Sequence, residues 1–182
     1  MSCDRAESHR STFLQALKAD CAANREHPVG IADSVRELTI SRGVQALTLY
    51  RLSSRRPGGF ASQVLHRLCQ LVFTVDLDPR AQIHSGVVLR HPMCVVVGSG
   101  AEVGSGCVLF HGVTLAKRLS GSVERPDGMP KLGSDVIVGA HAVLLGPISI
   151  GDGAVIGAGS VVVTDVPAGA TVVGNPGRVL PA

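Results

Sequence analysis

Leu132-Gly-Ser-Asp-Val-Ile-Val138-Gly-Ala-His-Ala-Val-Leu144-Leu-Gly-Pro-Ile-Ser-Ile150-Gly-Asp-Gly-Ala-Val-Ile156-Gly-Ala-Gly-Ser-Val-Val162 carries an aliphatic side chain at every sixth position, with glycine directly after four of the six. With aliphatic residues making up about a third of this region, six in a fixed register would arise by chance roughly once in several hundred trials. Neither the 3.6-residue helix nor the two-residue strand has this period, whereas six-residue beats are a mark of β-helices. In such a coil each aliphatic side chain points inward and stacks on its equivalents in neighbouring turns, while glycine or another small residue permits the corner. The core that results is one-dimensional. The same beat runs through Val97, Val103, Leu109 and Leu115 and, offset by two residues, through Ile83, Leu89 and Val95. It is interrupted by the polar stretch between Leu115 and Leu132, which reads as an excursion loop over about residues 117–131. The beat alone sets neither the hand of the coil nor any number of assembled copies.

Upstream of residue 76 helical spacing replaces the beat. Phe13, Leu14, Leu17 and Cys21 form one stripe over residues 11–24, with Ser11 as N-cap. After the break at His27-Pro28-Val29-Gly30 come a short helix over residues 32–39 and a longer one from Val44 to Arg55 carrying Ala46, Leu47, Tyr50 and Leu52. Arg55-Arg56-Pro57-Gly58-Gly59 ends it, and Phe60 to Val72 then places Val64, Leu65, Leu68 and Leu71 at helical spacing. The chain therefore divides into a small α-helical N-terminal region, residues 1–75, and a mainly β coil, residues 76–182.

Composition narrows the function. Residues 1–80 hold 11 basic and 8 acidic side chains, and residues 81–182 hold 6 of each, so the repeat region is neutral. Without Trp, with one Tyr and four Phe, and with no long Lys/Arg block, the chain lacks the stacking platforms and basic track of a nucleic-acid binder. No apolar run reaches the length of a membrane span and no signal-peptide core opens the chain, which points to a cytoplasmic protein with no membrane partner. The five cysteines, Cys3, Cys21, Cys69, Cys94 and Cys107, are odd in number and form no Cys-x-x-Cys pair. They read as reduced, mostly buried small hydrophobes.

The candidate chemistry lies where the beat slips. His91 follows Leu89 at the point where the register shifts by two, and a local break in a regular repeat is where a functional side chain is tolerated. An imidazole is poised near neutral pH as a general base, and Asp76 offers a carboxylate to fix its tautomer and stabilise the imidazolium. Spacing alone leaves the ordinary alternatives open: a structural histidine, and a capping or turn aspartate. His9, His27, His66 and His84 carry no motif.

Phe73-Thr-Val-Asp76-Leu-Asp-Pro79, His91 fifteen residues after Asp76, His111-Gly-Val-Thr-Leu115 and Pro130-Lys-Leu132 occur in order along the chain. Val138-Gly-Ala-His-Ala-Val-Leu-Leu-Gly146, Ile156-Gly-Ala-Gly-Ser-Val161, Val166-Pro-Ala-Gly169 and Gly174-Asn-Pro-Gly-Arg178 follow. Over residues 73–178 this set resembles the hexapeptide-repeat acyltransferases, and among them the serine acetyltransferases; a weaker likeness reaches back to Gln45-Ala-Leu-Thr-Leu-Tyr50-Arg51-Leu52. The resemblance implies a left-handed parallel β-helix, a homotrimer with acetyl-CoA as co-substrate between coils of adjacent subunits, no metal, and a place in cysteine biosynthesis. It also implies that His91 takes the proton of an acceptor hydroxyl as that oxygen attacks the thioester directly, with Asp76 orienting the ring. Backbone N–H groups near Ala116 and Lys117 would stabilise the oxyanion, Ala140 and Ala158 would line the pantetheine groove, and His111 would lie on the acceptor side. His141 reads as a surface or interface residue.

The chain departs from the serine acetyltransferase pattern where the amino acid is handled. Arg90 stands where the family has an Asp before the base, and Gly128 and Met129 stand where it has an Arg-His pair. Reversing the charge beside the base disfavours an ammonium group by up to a few kcal/mol in a partly dry cleft. Arg125, in the excursion loop, is the candidate substitute for the missing arginine, and Ala116-Lys117 replaces Gly-Gly. The helical region is also shorter than in typical members, which favours a single trimer over paired trimers. Serine and another hydroxyl compound such as a sugar both stay open as acceptor. Two further classes are a non-catalytic β-helix binding module and a metal hydratase of the γ-carbonic anhydrase kind. The hydratase needs three zinc-binding histidines, two of them close in sequence, whereas His91, His111 and His141 are spaced by 20 and 30 residues.

Overall fold

The computed structural model describes residues 13–24, 31–118 and 128–181. Among them four helices come first: α1 (Phe13–Ala23), α2 (Ile31–Ile40), α3 (Arg42–Ser53) and α4 (Phe60–Phe73). The expected cap Ser11 lies outside the described residues. Helix α3 begins ahead of its apolar stripe because Ser41, in extended conformation, caps it and accepts a hydrogen bond from the Val44 N–H at 3.4 Å. Helix α4 stops at Thr74, whose left-handed backbone (φ 56°) turns the chain into the first strand at Asp76.

From there the chain winds as a left-handed parallel β-helix with three faces. Strands Asp76–Leu77, Val96–Val97, Thr114–Ala116, Val143–Leu145 and Val161–Val162 make the first face. Gln82–Ile83, Glu102–Val103, Lys131–Leu132 and Ser149–Ile150 make the second. Val88–Arg90, Val108–Phe110, Ile137–Val138, Val155–Ile156 and Thr171–Val173 make the third, closed by the antiparallel pairing of Arg178–Val179.

Register explains the beat and its slips. Partners on successive turns lie 18 residues apart where the coil is regular, as for Val97 with Leu115, Leu132 with Ile150 and Leu144 with Val162. In the first turn the spacing is 20: Leu77 with Val97, Ile83 with Val103, Leu89 with Leu109. Two extra residues thus enter between Leu89 and Val97, on the segment that carries His91. Between Val103 and Leu132 the spacing is 29, so the excursion adds 11 residues to one turn.

All the beat residues are buried, none more than 6% exposed. Val95 is buried too, but not as the successor of Leu89. It belongs to a second inward phase at the edges, with Val75, Val87 and Val113, and the residue that continues Leu89 is Val97. The two inserted residues moved the strand phase on to position 97.

The helices attach through a polar joint. The Arg51 guanidinium meets the fully buried Asp20 carboxylate at 2.6 and 2.8 Å and donates to the carbonyls of Ile83 and His84, while Asp20 also accepts from the Gly86 N–H. Beside it the Tyr50 hydroxyl donates to the Ala81 carbonyl at 2.7 Å and accepts from the Ile83 N–H. Burial pushes the Asp20 carboxyl above the usual carboxylate range, and Arg51 draws it back.

Helix α4 turns its apolar stripe to solvent. The stripe of Val64, Leu68 and Leu71 faces outward, with Leu71 79% exposed and Phe60 and Val72 beside it. Ser62, Cys69 and Phe73 are the buried residues instead. Small side chains at the contact let α4 lie close on α3, where the Cys69 thiol reaches the Ala46 carbonyl. In α1, likewise, Leu14 faces solvent while Ala16, Asp20 and Cys21 are buried.

Candidate active site

The predicted residues divide between two edges of the prism. The edge joining the third face to the first carries His91, His111, Ala140, His141 and Ala158. Arg90 ends the strand leading into it and Asp76 begins the strand leaving it. Ala116, Lys117, Gly128 and Met129 lie on the next edge, where the first face turns into the second. The width of the first face, strand Thr114–Ala116 in this turn, separates the two groups.

On the first of these edges, Thr74, Cys94, Gly112, His141 and Gly159 occupy equivalent positions and share left-handed backbone, φ 55–69°. Glycine takes this conformation freely and other residues at a cost. His91 is also left-handed (φ 51°) but lies outside that ladder, in the two-residue insertion, where its carbonyl accepts from the Met93 N–H at 2.6 Å. A non-glycine residue held this way on an insertion is local strain of the sort that clusters at functional sites. Its ring is exposed and makes no hydrogen bond to any described residue.

The insertion is pinned next to Asp76 by two backbone hydrogen bonds, Cys94 N–H to the Thr74 carbonyl and Asp76 N–H to the Val95 carbonyl, both 2.8 Å. The Asp76 carboxylate itself is 2.7 Å from Nε2 of His66, on α4, and makes no hydrogen bond to His91 in the chain. His66 carried no signal in the sequence. Positions 62, 66, 69 and 73 share one helical face, and only the placement of the helix makes it the face that turns inward.

One turn beyond the insertion, His111 and His141 meet edge-on with ring centroids 4.9 Å apart, and Nδ1 of His111 is buried without a partner among the described residues. No three His, Cys, Asp or Glu side chains converge to hold a metal ion among the described residues. Register places His111, Ala140 and Ala158 in one column, so small side chains follow the imidazole along the edge. Behind them the turns are in close contact, since a Cβ at Gly139 would lie 2.6 Å from the Ala158 nitrogen.

At the opposite edge a pocket of about 460 Å³ is lined by Val96, Gly98, Ala116, Lys117 and Met129, among others. Its wall is largely apolar, with the Met129 side chain packed over Gly98. Arg125 lies outside the described residues. A larger cavity, about 680 Å³, opens between the helices and the first turn beside Tyr50, Arg51 and His84, and none of the predicted site residues lines it. Among the described residues no helix is long and apolar enough to cross a membrane.

Residues 129–164 match the bacterial transferase hexapeptide family of six repeats. The serine acetyltransferase of Synechococcus elongatus is 37% identical over 173 residues, which cover 92% of this chain and 69% of that protein. The chain belongs to the serine acetyltransferase family. It is an acyltransferase of the hexapeptide-repeat kind. Among solved structures, soybean serine acetyltransferase complexed with serine is 37% identical with a TM-score of 0.82, covering 97% of this chain and 72% of that one. Brucella abortus serine acetyltransferase in complex with coenzyme A is 30% identical with a TM-score of 0.81, covering 92% and 67%.

Proposed function

We propose that this protein transfers the acetyl group of acetyl-CoA to the hydroxyl of a small acceptor, with His91 as general base and Asp76 as the carboxylate that orients it. The observation that carries the reading is His91 itself, held in a left-handed conformation on a two-residue insertion pinned beside Asp76 in a member of an acetyl-transferring family. His91 takes the acceptor proton as the oxygen attacks the thioester carbonyl. A tetrahedral oxyanion forms, collapses and expels the CoA thiolate, and the thiolate recovers the proton from the His91 imidazolium. The products are an O-acetyl ester and free CoA, with no acyl-enzyme. Holding both substrates in one cleft supplies the proximity that direct attack needs. The small column at Ala140 and Ala158 suits an extended pantetheine arm.

With His91 and Ala116-Lys117 on different edges, separated by the first face, the base and the oxyanion donors of a single chain do not converge on one carbonyl. The reading therefore includes a homotrimer in which the His91 edge of one copy faces the Ala116-Lys117 edge of the next, and the outward apolar stripe of α4 supports such an assembly. The acceptor is serine, as in the soybean complex, or a hydroxyl compound without an ammonium group. The second reading is favoured by Arg90 and by the apolar wall that Met129 gives the pocket. With serine as acceptor the reaction belongs to cysteine biosynthesis, in the cytoplasm.

Release of free CoA from acetyl-CoA in the presence of L-serine and of a panel of sugars tests this. His91→Ala is expected to lower kcat by a factor of about 10² to 10⁴. An unchanged rate removes His91 as the base, and CoA binding without turnover of any acceptor turns the protein into a binding module. Sedimentation checks the trimer.

A further inference from the structure

We propose that His66 is a positioning residue for acetyl transfer: its imidazole holds one oxygen of the Asp76 carboxylate so that the other is presented to His91. The proposal rests on the reading of His91 and Asp76 given above and adds a third member, supplied by the helical region.

The geometry begins with α4. Its inward face is Ser62, His66, Cys69 and Phe73, and the left-handed Thr74 turns the chain so that Asp76 comes back alongside the helix it has just left. His66 is then two turns before the helix end and level with the opening of the first face. Nε2 lies 2.7 Å from Asp76 Oδ1, with the His66 side chain 21% exposed and that of Asp76 46% exposed. A carboxylate only accepts, so Nε2 carries the proton of this hydrogen bond. The Gln70 amide nitrogen, 3.5 Å from the same Nε2, is therefore a packing neighbour rather than a second donor, and its own oxygen is occupied by Arg67 at 3.0 Å.

No other described side chain holds Asp76. Its backbone is fixed by the sheet, but a half-exposed carboxylate can turn about its own bonds, and an unheld carboxylate is a poor guide for an imidazole. The bond from His66 removes that freedom and leaves Oδ2 with no hydrogen bond among the described residues, on the strand whose backbone is bonded to the insertion bearing His91. Charge reaches the helix as well: burial first, and then the Asp76 carboxylate, push the Cys69 thiol up to about 11. The helical region is thus part of the apparatus around the base as well as an appendage to the coil.

The test is a set of full-length variants, His66→Ala, His66→Gln, Asp76→Asn, His66→Ala with Asp76→Asn, and His91→Ala, assayed by CoA release with L-serine as the acceptor probe. Thermal unfolding and ring ¹⁵N shifts of His91 are recorded for each, and the shifts need no acceptor. Loss of one hydrogen bond to a charged group is expected to lower kcat of His66→Ala about tenfold with the KM for acetyl-CoA unchanged. His66→Gln, whose amide can still donate, recovers most of the rate, and His66→Ala costs nothing further once Asp76 is Asn. The His91 ring shifts of His66→Ala move toward a mixture of tautomers. A His66→Ala enzyme with wild-type kcat and wild-type His91 shifts, alongside inactive His91→Ala and Asp76→Asn, overturns the role of His66 and leaves the base in place. An equal loss in the Asp76→Asn background places the effect in the fold and also overturns it. A fully active His91→Ala enzyme removes the base and the positioning role together.

Discussion

On the coil, aliphatic side chains point inward at every turn, and Leu109, Leu115 and Leu144 have no exposed surface at all. On α4 the same residue types point outward, and the inward face carries Ser62, His66, Cys69 and Phe73. The coil has no choice in this: each residue is stacked on its equivalent one turn away, 16 to 20 positions along the chain or 29 across the excursion, and a one-residue slip would turn a whole strand inside out. A helix is free to rotate about its axis, and α4 is oriented by what it lies against. It lies against α3, where small side chains permit close contact, and against Asp76, which takes His66.

The sharpest way to break this comparison is at the joint between the two regions. Asp20→Ala leaves the Arg51 guanidinium and the Gly86 N–H buried without their partner, and is expected to cost about 3–5 kcal/mol in urea unfolding. A loss under 1 kcal/mol would mean that the helices contribute little to the stability of the coil. Within the coil, Leu109→Ala opens a cavity in a core without slack and is expected to cost about 2–5 kcal/mol. Leu71→Ser on α4 is the matched control. In separated chains its effect on stability is expected within about 0.5 kcal/mol, while sedimentation shows weakened assembly. An equal cost for Leu71→Ser and Leu109→Ala in separated chains would erase the distinction between the regions. The mildest probe is chemical: burial holds the Cys69 and Cys107 thiols up at about 11, so at pH 8 an alkylating reagent should label exposed Cys94 and spare those two until the chain unfolds. Peptide mapping by mass spectrometry reads the result.

The beat made the coil legible because inward stacking repeats one environment at a fixed interval. The same regularity exposed His91, since a slip of two in the register is visible in the letters themselves. The second inward phase, Val75, Val87, Val95 and Val113, was less legible, because the insertion brought Val95 into apparent step with Ile83 and Leu89. Helix positions were also readable, from apolar spacing and from the Arg55-Arg56-Pro57-Gly58-Gly59 break. Their orientation was not, because spacing identifies a stripe without saying what covers it. His66 escaped for that reason: an isolated imidazole on a helix has no pattern until the helix is placed.

By itself, then, the sequence determined the period of the coil, the site of the insertion, the family and the candidate base, all of which are written as local spacing or as contiguous motifs. The tertiary structure decided which face of α4 turns in, that the Asp76 carboxylate is held by His66, and that His91 and the Ala116-Lys117 backbone lie on different edges. Those are relations between segments that only the register of the turns and the packing of a rotatable helix can set.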